Sequence, residues 1–143
     1  MKLSFGVKEI ADFLAGGIPT GKLICIFGEQ NIGKSWMCAQ LSFMATRPVN
    51  SGGLNTKVLY IDTEQYISED EDVMPFLTEV FSKRWKDVKP ENIELVSAPN
   101  IFELGELFGI QYEIMQEKQR ISAIAKYPKK KSDKPVKLSL IHI

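Results

Sequence analysis

The residues best suited to chemistry lie together in one stretch, Gly28-Glu29-Gln30-Asn31-Ile32-Gly33-Lys34-Ser35. It matches the pattern G-x-x-x-x-G-K-[ST], in which glycines let backbone N–H groups curl inward around phosphate oxygens. The following helix adds its positive N-terminal end, Lys34 would reach the β- and γ-phosphates, and the Ser35 hydroxyl would bind Mg²⁺. Asn31 stands where many such loops carry glycine, and asparagine tolerates a positive φ. The stretch predicts a phosphate-binding loop.

A second group of polar residues occurs in "YIDTEQ", where Asp62 and Glu64 follow an apolar run. Parallel α/β sheets bind ligands beyond the C-terminal ends of their strands. A carboxylate at that position could polarise the water that attacks a γ-phosphate. Alternatively, Asp62, Thr63 and Glu64 cap the segment that follows, and their position alone does not separate the two interpretations.

Alternating strands and helices must position these residues. The near-continuous apolar run from Leu23 to Phe27 predicts a strand buried on both faces, directly before the loop. Strands are also predicted at 57–61 and 93–97, with a fourth opening at Val136. Helices are predicted at 7–14, 34–45 and 73–85, and residues 101–124 form either one long helix or two. This alternation indicates the α/β class, with a parallel sheet covered by helices on both faces.

Length and composition limit the other possibilities. The 143 residues suffice for one domain, and 44% hydrophobic and 25% charged residues with zero net charge are ordinary for a soluble globular protein. Neither a signal peptide nor an apolar run of about 20 residues is visible, which predicts no membrane segment. Cys25 and Cys38 lack metal or redox spacing, so we expect buried, reduced thiols in the cytoplasm. His142 is the only histidine, which argues against a Ser-His-Asp triad or a His-rich metal site.

Three segments together resemble the ATPase core of the RecA/RadA recombinase family, most closely the archaeal RadA branch and its paralogues. They are "GGIPTGKLICIFGEQNIGKS", "GGLNTKVLYIDTE" and "VKL". The resemblance implies a RecA-like P-loop NTPase fold, with the fourth strand beside the phosphate-loop strand. It also implies ATP and Mg²⁺ as ligands, with Ser35 on the metal and Lys34 and Glu64 catalytic, Glu64 as general base. The nucleotide would contact Gly28, Glu29, Gln30, Asn31, Ile32, Gly33, Lys34, Ser35 and Trp36.

The function implied by this resemblance is that of a cytoplasmic, DNA-dependent ATPase in recombination and repair. Such a protein would bind DNA, single-stranded in particular, and assemble as a homo-oligomer or with a recombinase. "QYISEDED" is acidic where the family carries a basic segment, and no helix-hairpin-helix domain precedes the core, which favours a paralogue. Two alternatives stay open: a non-hydrolysing, ATP-binding adaptor that regulates a recombinase filament, and a helicase-like or clock-protein-like (KaiC-like) ATPase.

The C-terminal residues "LSLIHI" align with the family strand that ends in the Walker B aspartate, with His142 close to that position. One interpretation is a degenerate site that binds nucleotide without turnover. The other is a non-native tail, because the six residues are encoded by CTG TCT CTT ATA CAC ATC, the transposon mosaic end used in sequencing libraries. We therefore expect residues 1–137 to be the N-terminal part of a RecA-like core, incomplete at its C-terminus and inactive as a fragment. Residues 138–143 would be the non-native tail, and the DNA-contacting loops would be absent.

Overall fold

The computed structural model describes residues 1–107 and 140–142 of the chain. Helices and strands alternate along most of this part, with short 3₁₀ turns at Val49–Ser51 and Pro90–Asn92. The helices are α1 (Lys8–Phe13), α2 (Lys34–Thr46), α3 (Val73–Arg84) and α4 (Ile101–Leu107). The strands are β1 (Lys2–Leu3), β2 (Ile18–Pro19), β3 (Val58–Asp62), β4 (Ile93–Ser97) and β5 (Leu140–His142).

The main sheet has the strand order β4-β3-β5. Strands β3 and β4 are parallel, with the register running from Val58 opposite Ile93 to Asp62 opposite Ser97, and α3 lies between them in sequence. This βαβ arrangement confirms the predicted α/β class with parallel strands. Strands β1 and β2 form a separate antiparallel pair.

Helix α2 forms the centre of the core. Its apolar residues surround the helix axis, as expected for a helix that is buried on several sides. Leu41, Met44 and Ala45 pack with Leu3, Phe5 and Val58 in one cluster. Cys38, Ala39 and Phe43 pack with Tyr60, Leu77 and Phe81 in a second cluster. The helix therefore joins the N-terminal segment, the sheet and α3.

These two clusters also fix the direction of α2. Val58, at the start of β3, lies in the cluster that holds Leu41 and Ala45 near the end of the helix. Tyr60, further along the strand, lies in the cluster that holds Cys38 near the start of the helix. Helix and strand thus run in opposite directions. The N-terminus of α2 therefore lies at the same end of the sheet as the C-terminal end of β3.

The prediction of a buried strand from Leu23 to Phe27 is wrong. This segment pairs with no strand in the described part of the chain, and Leu23 and Phe27 are 85% and 88% exposed. Only Ile26 packs against the core, touching both clusters. An apolar run becomes a strand only when a neighbouring strand accepts and donates its backbone hydrogen bonds. In the described part of the chain, no strand lies beside residues 23–27.

The expected position of the fourth strand is also wrong. Residues Leu140–His142 pair antiparallel with β3, with Leu59 opposite His142, instead of lying beside the phosphate-loop segment. β5 thereby takes the edge of β3 that β4 leaves open. An open strand edge accepts any extended segment that reaches it, in either direction.

The predicted helices are confirmed within one residue at most ends. Helix 34–45 is observed as Lys34–Thr46, helix 73–85 as Val73–Arg84, and helix 7–14 as Lys8–Phe13. Helix 101–124 is observed as α4 up to Leu107, and its remainder lies outside the described residues, as do residues 108–139 as a whole. Among the described residues, no helix is both long and apolar enough to cross a bilayer.

Candidate functional site

The predicted phosphate-binding loop turns tightly between residues 23–27 and α2. Asn31 has a φ of 64° and Gly33 a φ of 93°, so both adopt the left-handed backbone that a curled loop requires. The conformation anticipated for asparagine at position 31 is therefore confirmed. A Cβ atom on Gly28 would lie 2.3 Å from Cδ1 of Ile32, the far end of an exposed side chain that could move aside.

The loop leads directly into the N-terminus of α2. Gly33 is the N-cap residue, and its carbonyl accepts the first helical hydrogen bond from the N–H of Met37 at 2.9 Å. No side chain in the described part of the chain caps this end of the helix. The first-turn N–H groups and the helix dipole together favour an anion at this position.

The predicted site residues Lys34 and Ser35 lie on this first turn. Lys34 and Ser35 are both half-buried, and Nζ of Lys34 donates to the backbone oxygen of Glu29 at 2.5 Å, across the loop. The indole of Trp36 packs against α3 instead, with its ring centroid 5.4 Å from Phe81 and 6.4 Å from Phe76. The remaining predicted contact residues, Glu29, Gln30 and Ile32, are exposed.

The two carboxylates after β3 differ in their surroundings. Asp62 is buried, and its Oδ2 accepts hydrogen bonds from the N–H of Ile67 at 2.7 Å, the N–H of Ser68 at 2.9 Å and the hydroxyl of Ser68 at 3.1 Å. Asp62 therefore organises the loop that follows, as the capping interpretation requires. Glu64 is exposed within that loop, so it is the carboxylate that a ligand can reach.

The middle of the same loop has a contact that the sequence did not reveal. Gln65 has a φ of 60°, and its Nε2 donates to Oγ of Ser97 at 3.4 Å, at the end of β4. This contact depends on the parallel register that places Ser97 opposite Asp62. No local spacing in the sequence links Gln65 to a residue 32 positions away.

Burial raises the pKa of two side chains beside the candidate site, Tyr60 and Cys38. Burial is the main cause that raises the pKa of Tyr60, and the nearby Cys38, Asp62 and Glu64 raise it further, so this phenol stays neutral. Burial likewise raises the pKa of the Cys38 thiol, which is consistent with the expected buried, reduced cysteine. Cys25 is exposed, so the expectation of burial is wrong there, because its segment lies outside the sheet.

The predicted loop and the two carboxylates lie at the same end of the fold, because α2 runs opposite to β3. The N-terminus of α2 lies where β3 ends, and Asp62 and Glu64 occupy that end. This end of the fold therefore holds Lys34 and Ser35 as well as the two carboxylates. Within residues 1–107 and 140–142, no group of three or more His, Cys, Asp and Glu residues is placed to hold a metal ion by itself.

Comparison with known proteins identifies the family behind this arrangement. The family model described as Rad51 matches residues 1–125, which is most of the chain. The chain belongs to the Rad51 family. Its fold is therefore the RecA-like P-loop fold, as the resemblance of the sequence implied. A similar protein is the DNA repair protein RAD51 homolog 2 of Arabidopsis thaliana, 45% identical over 62 residues. The match covers 43% of this chain and 17% of that protein's length.

Proposed function

We propose that the protein is an ATP-binding P-loop ATPase that acts in DNA recombination and repair. The observation that carries the proposal is the uncapped N-terminus of α2 behind a left-handed loop, with Lys34 and Ser35 on its first turn. Membership of the Rad51 family and the similarity to a DNA repair protein support the biological role.

The residues present fit ATP and Mg²⁺. The backbone N–H groups from Gly28 to Ser35 would hold the phosphates, and Lys34 would exchange the carbonyl of Glu29 for phosphate oxygens. The hydroxyl of Ser35 would bind Mg²⁺, whose remaining ligands would be phosphate oxygens and water, so no protein carboxylate cage is required. When bound, the ion neutralises charge that develops on the β- and γ-phosphates.

The chemistry would be an in-line attack of water on the γ-phosphorus. Glu64 would orient this water and accept its proton as the new P–O bond forms. The bond between the γ-phosphorus and the β–γ bridging oxygen breaks, and Lys34 would stabilise the negative charge left on the phosphates. Binding of DNA, single-stranded DNA in particular, and assembly with further copies or a recombinase belong to the same proposal.

The test of nucleotide binding is the Lys34→Ala variant of the full-length protein. We expect ATP binding or hydrolysis to be abolished, because the change removes the only side-chain charge that the loop directs at the phosphates. Binding is measured by titration with a fluorescent ATP analogue, and turnover by phosphate release with and without DNA.

The matched control is Lys83→Ala, which removes an exposed lysine on α3 that pairs with the exposed Glu79 of the same helix. This control should bind and hydrolyse ATP like the wild type, because exposed ion pairs contribute little. Unchanged affinity and turnover in Lys34→Ala would remove the basis of the proposal.

A further inference from the structure

We propose that Asp62 is a positioning residue that holds Glu64 in place for hydrolysis. The inference rests on the proposed function, in which Glu64 orients the attacking water. Its starting point is the buried carboxylate at the end of β3, on which three donors converge at 2.7, 2.9 and 3.1 Å. Asp62 does not touch the nucleotide in this proposal.

The hydrogen bonds of Asp62 close residues 62–68 into a loop, called here the closed segment. They join the last residue of β3 to the backbone of Ile67 and Ser68, five and six positions later. Glu64 lies inside the closed segment, two residues after its anchor. Fixing both ends restricts the directions in which its side chain can project, and precise placement of a catalytic group contributes strongly to the rate.

Two further contacts hold the same segment against the sheet. Gln65, the residue after Glu64, adopts a φ of 60° and donates to the hydroxyl of Ser97 on β4. The backbone oxygen of Asp62 accepts the N–H of Ala98 at 3.2 Å. The closed segment is therefore tied to β4 as well as to β3, and Ile67 adds an apolar anchor because it is buried in the second core cluster.

The test uses Asp62→Ala and the conservative Asp62→Asn in the full-length protein. Alanine removes the acceptor for three donors, whereas asparagine keeps one oxygen that accepts the same bonds. Asp70→Ala is the matched control, because Asp70 also accepts a local backbone N–H, from Asp72 at 3.0 Å, but it is exposed and lies outside the closed segment. For each variant, kcat and KM for ATP, the Kd of an ATP analogue and amide hydrogen exchange at Ile67 and Ser68 are measured.

We expect Asp62→Ala to lower kcat by about 10- to 100-fold while KM and Kd change less than about twofold. Asp62→Asn should recover most of the rate, Asp70→Ala should match the wild type, and the Ile67 and Ser68 amides should exchange faster only in Asp62→Ala. In a Glu64→Gln background, Asp62→Ala should add little, because both changes remove the same contribution.

The outcomes separate this inference from the proposed function. If the wild type hydrolyses ATP and Asp62→Ala keeps the rate of Asp70→Ala, the positioning role is wrong and the ATPase proposal stands. Equal losses in kcat and ATP affinity, or full additivity with Glu64→Gln, would assign Asp62 a merely structural role. A full-length wild type without turnover overturns both.

Discussion

Two carboxylates that lie two residues apart have different environments and, we infer, different roles. Asp62 is buried, and its Oδ2 accepts three hydrogen bonds from Ile67 and Ser68, so it holds the loop that follows. Glu64 is exposed at the edge of the sheet where α2 begins. Residues two positions apart in a strand point to the same face, but these two differ because β3 ends at Asp62 and the chain then turns.

The role of Glu64 is tested by the Glu64→Gln variant of the full-length protein. The amide keeps the shape of the side chain but cannot accept a proton from water, so we expect hydrolysis to slow by about a hundredfold or more with ATP affinity retained. Glu69→Gln, an exposed change in the adjoining acidic segment, serves as the control. Normal turnover in Glu64→Gln, measured as steady-state phosphate release, would leave Glu64 as part of a structural cap.

At the scale of elements, the C-terminal end of α2 is fastened to the segment that precedes β4. The hydroxyl of Thr46 donates to the backbone oxygen of Phe43 at 2.8 Å and accepts the N–H of Lys89 at 3.0 Å. The guanidinium of Arg47 binds Asp87 through two contacts, Nε to Oδ1 at 2.6 Å and Nη2 to Oδ2 at 3.2 Å. These bonds fix the end of α2 opposite to the candidate site.

The Arg47–Asp87 pair should make stability depend on pH. The hydrogen bond from Arg47, followed by one from Ser51, lowers the pKa of Asp87. A lowered pKa in the folded state stabilises the fold above the unfolded pKa of about 3.9, and this contribution is lost as the pH falls through the lowered value. We expect Asp87→Asn to lower the free energy of unfolding by about 1 kcal/mol at pH 7, since the partly exposed pair is screened by solvent.

As the pH falls below the lowered pKa of Asp87, the wild type and Asp87→Asn should converge in stability, because both then carry a neutral side chain at position 87. Urea unfolding at several pH values measures the difference. Glu79→Gln is the matched control, since it removes the acid of an exposed ion pair within α3. A difference between wild type and Asp87→Asn that stays constant down to pH 2 would show that the ion pair is not its source.

At the scale of the whole molecule, we expect stability to depend on the core around α2 and not on residues 23–27, before the predicted phosphate-binding loop. Phe43 is 1% exposed between the sheet and α3, with its ring centroid 4.9 Å from that of Phe81. Phe27 is 88% exposed, although the sequence places it in a strongly apolar run. We therefore expect Phe43 to contribute much more to the free energy of unfolding than Phe27.

Replacing each phenylalanine with alanine tests this arrangement. Phe43→Ala should destabilise the fold by about 3–5 kcal/mol, because it removes a packed ring and leaves a cavity. Phe27→Ala should change the free energy of unfolding by less than about 0.5 kcal/mol, as exposed substitutions do. The two variants are compared by chemical unfolding of this chain. Comparable losses would show that residues 23–27 are a buried strand, as the apolar run predicts.

Much of the candidate site followed from local sequence. The spacing of Gly28, Gly33, Lys34 and Ser35 predicts a phosphate-binding loop before a helix, and a curled backbone with a positive φ at Asn31 and Gly33 is observed. The helices at 34–46 and 73–84 and the strands at 58–62 and 93–97 were also predictable, because periodic burial of apolar side chains is a local pattern. The parallel pairing of the last two strands followed from the helix between them.

Only the tertiary structure decided which apolar and acidic residues have partners. It placed Leu23–Phe27 outside the sheet, set Leu140–His142 antiparallel against β3, and gave Asp62 rather than Glu64 the three loop donors. The residue types in a segment indicate which groups it can bind. Strand pairing and hydrogen-bond partners also depend on residues distant in sequence, which the fold must bring to the same place. A backbone ladder or a buried carboxylate is stable only once those partners have arrived.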